Sequence, residues 1–193
     1  MTSFGLRRRH WEIISLAASF PPTIAVTAAL MAVSVGGSQA LFHASVFTAL
    51  FAVLPALVTL YLLWQGKISD IEVREREERH PLFLTGLASS LLGLAALEYL
   101  NAPGLLLKLG IVQTVLVLIV AFINRSWKIS VHTTTWGACL TALYFTYGNV
   151  ALLATPLAVP VAVSRLALDC HTRKQVVAGF VVGTVLTALI MLR

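Results

Sequence analysis

Apolar runs long enough to cross a bilayer recur along this chain, and nothing constrains its folding more. A hydrocarbon core takes about 20 consecutive apolar residues. Runs of that order lie at about 11–35, 40–64, 81–100, 103–123 and 129–147, with shorter ones at about 150–163 and 174–192. With 58% hydrophobic and only 11% charged residues, the chain cannot be a soluble core. The expected fold is all-α, a polytopic transmembrane bundle of seven spans, or six if one of the short proline-bearing runs fails to cross. One membrane domain, 1–193, leaves no room for a separate soluble one. The first run is longer than the apolar part of a cleaved signal peptide, so it is expected to stay as an anchor.

Charge then orients the bundle. Of 14 Lys and Arg residues, seven spans leave only Lys108 and Arg193 on one side. The other side collects the remaining cations, from Arg7-Arg8-Arg9 to Arg173-Lys174, and by the positive-inside rule it faces the cytoplasm together with the N-terminus. The net charge of +6 is spread over short loops, which argues against nucleic acid and for anionic lipid or a phosphorylated substrate in an integral cell membrane. Cys139 and Cys170 match no metal or redox spacing and read as packing residues.

Three polar clusters share the basic side. KISDIEVREREERHP puts Lys67 and Arg74 seven residues apart, the same side of the segment if it is helical, with Asp70 and Arg79 beside them. Alternating Arg and Glu from Arg74 to Arg79 equally describes a solvated helix of paired charges. NRSWKISVHTTTWG sets Ser130 and His132 at the mouth of the fifth run, behind Trp127 and Lys128. Trp127 reads as an interfacial belt residue, and a single boundary histidine is more often satisfied structure than a catalyst. In SRLALDCHTRKQVVAG, Ser164-Arg165 close one run and His171 opens the next, with Gln175 one helical turn further on. Alone, this would be a basic loop that sets orientation.

Together the three stretches resemble the type 2 phosphatidic acid phosphatase superfamily of membrane lipid phosphatases, from Lys67 to about Gly183. The shared pattern is Lys-x6-Arg, then Ser-x-His opening a span, then Ser-Arg-x5-His-x3 and a polar residue. The resemblance implies a helical enzyme that removes phosphate without metal or cofactor, through a phosphohistidine. Lys67, Arg74 and Arg165 would bind phosphate oxygens and Ser130 would help hold them. His132 would be the acid, His171 the nucleophile, and Asp70, Arg79 and Lys128 accessory groups. The chain departs from the family pattern in three places: Glu75 follows Arg74 where proline is usual, Ile129-Ser130-Val131-His132 replaces Pro-Ser-Gly-His, and Gln175 stands for the aspartate that orients the nucleophile. Arg79-His80-Pro81 offers a second alignment of the first motif. His171-Thr172-Arg173-Lys174-Gln175-Val176 is similar to dolichyl diphosphate phosphatases, which implies an isoprenoid phosphate or diphosphate substrate.

The residues suit that chemistry. Phosphoryl transfer is served by positioning and fixed positive charge, and Gln175 could accept from one ring nitrogen of His171 and leave the other to attack. Other readings are a non-catalytic relative that binds anionic lipid or a partner, and a phosphatase acting on glycerolipid phosphates. A prenyl-transferring enzyme would need clustered aspartates for magnesium, whereas Asp70 and Asp169 are far apart in sequence. A transporter would want ionisable groups within its spans, and His43, Glu98 and Lys108 fall near the opposite side.

Overall fold

The structure, a computed structural model, describes residues 7–193. Among these there is no strand. Nine α-helices follow in order: α1 Arg8–Ala17, α2 Phe20–Val35, α3 Ala40–Thr48, α4 Leu54–Trp64, α5 His80–Tyr99, α6 Gly104–Asn124, α7 Val131–Tyr147, α8 Ala158–Ala167 and α9 Arg173–Met191. Five helical stretches are long and apolar enough to cross a membrane, and six if α1 and α2 count as one broken span. This is the polytopic helical bundle expected from the sequence.

Two compact units divide the described chain. One joins the residues up to Thr23 with Lys128–Arg193, and the other is Ile24–Trp127.

In the first unit α7 and α9 run side by side in the same direction. Gly179 lies over Ser130, Thr133 and Thr134, Gly183 over Thr134 and Ala138, and Gly137 over Phe180 and Thr184. Two helices that advance together along both chains are parallel. Gly179 and Gly183 form a G-x-x-x-G pair, which allows the backbones to touch. A Cβ on Gly179 would stand 2.7 Å from the Ser130 carbonyl oxygen, and one on Gly183 would overlap that of Thr134. Parallel neighbours need a return leg between them. It consists of a 3-10 helix, Gly148–Leu157, followed by α8. The sequence led us to expect a simpler run over 150–163. The reason for the difference is local: Gly148 turns the chain at φ 64, and Pro156 and Pro160 each lack the amide that a regular α-helix would use. Ten residues at about 2.0 Å and ten at about 1.5 Å still reach roughly 35 Å, enough for a core of about 30 Å.

The α1 helix packs on the end of α8, where Trp11 is buried with Ala167, Leu168 and Cys170. The thiols of Cys139 and Cys170 are both buried, as packing residues should be.

The second unit is built from antiparallel helices. His43 Nε2 lies 3.2 Å from the Leu100 carbonyl, and further along Phe51 fills the notch left by Gly93 and Gly110. The second apolar run does not stay regular. Residues Ala49–Val53 form a π-helical bulge ahead of Pro55, which cannot donate to the carbonyl four residues back. Ser89 Oγ donates to the carbonyl of Leu50 inside that bulge.

The charged segment between α4 and α5 departs most from expectation. Lys67 and Arg74 do not share a helix face, because residues 65–76 are turns and bends. Gly66 leaves α4 at φ 67, and Asp70 Oδ1 accepts the Glu72 amide at 2.7 Å. A side chain that bonds its own backbone in this way competes with the helix.

Candidate active site

Breaking the first helix creates acceptors. The α1 helix is capped by Ala18, where Ala18 N–H goes back to Ile14 O and Ser19 N–H to Leu16 O. The carbonyls of Ser15 and Ala18 are thereby left without the amides of a continuing helix. Two side chains from one face of α7 approach them. His132 Nε2 lies 3.2 Å from Ser15 O, and Trp136 Nε1, one turn on, donates to Ala18 O at 3.0 Å. A carbonyl only accepts, so the His132 contact puts a proton on Nε2.

Ser15 also reaches the third cluster. Its Oγ accepts from Arg165 Nη1. Arg165 is 1% exposed and is among the largest fully buried side chains of the protein. Its carbonyl takes the amides of both Cys170, at 3.1 Å, and His171, at 3.2 Å. This closure bends the chain through Asp169, at φ 55, and sets His171 directly beside the end of α8.

Beyond His171 a capping box starts α9. Thr172 Oγ1 accepts the Gln175 amide at 3.4 Å, and Gln175 Oε1 accepts the Thr172 amide at 2.9 Å. The same Oε1 lies 3.3 Å from His171 Nδ1. Since an amide oxygen only accepts, this contact places the proton of a neutral His171 on Nδ1 and the lone pair on Nε2.

Ser130 is the N-cap of α7 and has no exposed surface. Its Oγ accepts the Thr133 amide at 3.4 Å. Its local work is to start the helix that carries His132. Thr133 Oγ1 donates to Val176 O at 2.9 Å, which holds the first turns of α7 and α9 abreast. His132, Arg165, His171 and Gln175 therefore collect at one end of the first unit, at the N-termini of two parallel helices. Helix N-termini favour anions. The start of α9 nonetheless carries exposed Arg173 and Lys174 and no acidic residue. Lys128 is half-buried just ahead of Ser130.

Lys67, Asp70, Arg74 and Arg79 belong to the second unit. Lys67 is exposed. Arg74 Nε lies 4.0 Å from Asp70 Oδ2, with both side chains about one-third exposed. Arg79 is buried, and its Nε donates to Val73 O at 2.9 Å, bracing a valine held at φ 44. This segment is neither the helix of paired charges nor the two-turn motif read from the sequence. Among the described residues no group of His, Cys, Asp and Glu is arranged to hold a metal.

Residues 103–193 match the PAP2 superfamily. That stretch is just under half of the 193-residue chain. It contains Ser130, His132, Arg165, His171 and Gln175 and leaves out the Lys67–Arg79 segment. No curated protein and no solved structure gives a significant match.

Sequence reasoning missed two residues of this cluster. The Thr172-x-x-Gln175 box was readable from its spacing. Ser15 gave no such signal, because its part depends on a helix break three residues later.

Proposed function

We propose that the protein is a lipid phosphatase working without metal through a phosphohistidine, on an isoprenoid phosphate or diphosphate. The observation that carries this reading is the commitment of one nitrogen in each of two imidazoles at the same helix ends, His171 Nδ1 to Gln175 and His132 Nε2 to Ser15.

In the first step His171 Nε2 attacks phosphorus and the bond to the leaving oxygen breaks. His132 protonates that oxygen from Nδ1. In the second step water attacks the phosphohistidine and gives its proton back to His132, inorganic phosphate departs, and His171 recovers its lone pair. The N-termini of α7 and α9, with Arg173 and Lys174, favour the charge on the phosphoryl oxygens, and buried Arg165 adds a fixed positive charge beside His171. Lys67 and Arg74 as further phosphate ligands, and Asp70, Arg79 and Lys128 as accessories, rest on the family resemblance. So does the isoprenoid chain, since the capping box gives Gln175 a second reason to be glutamine. The cation count supports a site that opens to the cytoplasm.

Phosphate release by the purified protein in chelator, over isoprenyl and glycerolipid phosphates, tests the reading. It should be abolished in His171→Ala, and turnover near wild type in that variant would rule the mechanism out.

The near-complete burial of Arg165 and Ser130 favours a second reading, a non-catalytic relative whose basic end binds anionic lipid. Absence of phosphate release from every substrate, with lipid binding intact, would select it.

A further inference from the structure

A groove of about 640 Å³ opens between α5 and α6 at the end where the charged segment joins them. Its wall is apolar, formed by Phe83, Leu87, Leu118 and Phe122 among others, and its rim is polar, with Arg76, Glu77, His80, Asn124 and Arg125. An apolar trough under a charged rim has the shape of an amphiphile. The rim specifies which one.

Arg76 is already committed. Its Nε and Nη2 bond Glu77 at 3.1 and 2.9 Å, and its Nη1 donates to Arg125 O at 3.2 Å. Arg125 is exposed and its guanidinium has no partner among the described residues. Two arginines against one glutamate give the rim a net charge of +1 with His80 neutral. Asn124 is 6% exposed, and its amide donates to Arg76 O at 3.2 Å. Its Oδ1 is buried with no hydrogen-bond partner. A buried acceptor left unmatched is unfavourable, so the site asks for a hydrogen-bond donor as well as an anion.

We propose that this groove seats one anionic bilayer phospholipid with a hydroxyl-bearing headgroup. The phosphodiester lies at Arg125, a headgroup hydroxyl donates to Asn124 Oδ1, and an acyl chain lies along the trough. Phosphatidylglycerol supplies all three features. Phosphatidylethanolamine has a donor but no net charge, and phosphatidylcholine has neither. The proposal stands apart from the phosphatase reading, since it uses none of the residues assigned there.

Native mass spectrometry of the full-length protein, offered the three lipids in equal amounts, is the test. Retention should rank phosphatidylglycerol, then phosphatidylethanolamine, then phosphatidylcholine. One arginine near a membrane surface contributes about fivefold toward an anionic lipid, so Arg125→Gln should remove about that much of the preference, while Arg9→Gln leaves it unchanged. Ala121→Trp, which fills the trough without touching the rim, should lower retention of all three lipids. Equal retention of the three, or a preference that survives Arg125→Gln intact, would overturn the proposal. Circular dichroism matching wild type shows that the variants fold.

Discussion

Glycines are used in opposite ways in the two units. Where α7 meets α9, the atoms facing Gly137 and Gly183 are largely backbone, the carbonyls of Phe180 and Thr134 among them, and Gly179 meets the Ser130 carbonyl between two threonine hydroxyls. In the second unit the atoms facing Gly93 and Gly110 belong to side chains, the ring of Phe51 and the tip of Leu94. A backbone contact has no rotamer to change, so it fixes the register of two helices and hence the spacing of whatever stands at their ends. A ring in a socket fills volume and can turn. The rigid kind of packing occurs where the two catalytic candidates are carried, and the forgiving kind occurs elsewhere.

The comparison breaks most readily at the glycines themselves. Gly183→Ala forces a methyl onto the Thr134 carbonyl and should cost about 2–3 kcal/mol, the upper part of the range for overpacking. Gly93→Ala meets only the Phe51 ring and should cost about 1 kcal/mol. Thermal unfolding in one detergent measures both. Phosphate release should fall with Gly183→Ala even where the protein is still folded, because α7 and α9 shift against each other. Equal costs would mean that backbone contact confers no special rigidity here.

A second pair sharpens the contrast with hydroxyl groups. Ser15 Oγ accepts from the buried guanidinium of Arg165, and Ser89 Oγ donates to the carbonyl that the π-bulge frees at Leu50. Both serines are buried. Hydrogen bonds to charged groups contribute about 1.5–3 kcal/mol and neutral ones about 1 kcal/mol. Ser15→Ala should therefore destabilise about twice as much as Ser89→Ala in the same unfolding experiment. If the order is reversed, the bulge rather than the buried arginine is the more demanding site.

Much of this was legible in the sequence, for identifiable reasons. Spans follow from runs of apolar residues, since composition alone decides whether a segment can sit in hydrocarbon. The turns at Gly36-Gly37 and Asn101 to Gly104 follow from backbone preference, with positive φ at Gly36, Gly37 and Asn101. The link between His171 and Gln175 was also readable, because residues four apart across a helix start are neighbours whatever the tertiary fold. The shared helix face read for Lys67 and Arg74 does not form, for the converse reason: their spacing meant something only on a helix, and Gly66, Asp70 and Val73 keep the segment out of one. The part played by Ser15 lay out of reach because it joins residues more than a hundred positions apart. Likewise the return leg through Gly148–Leu157 looked like an ordinary short span until Pro156 was placed in a 3-10 helix.

The smallest effect concerns the local bonds at the two polar ends. Thr172 starts α9 through a reciprocal box with Gln175, and losing such a cap in Thr172→Ala should cost about 1 kcal/mol. Asp70→Asn keeps an oxygen for the Glu72 amide and removes only the charge facing Arg74 at 4.0 Å. With both partners about one-third exposed, solvent screening should hold the change to about 0.5 kcal/mol or less. A larger loss in Asp70→Asn, measured by the same unfolding experiment, would mean that the segment between α4 and α5 is held by its charges. The contrast would then be wrong in that respect, because the second unit's forgiving packing would be tied down by an ion pair where the first unit relies on helix caps.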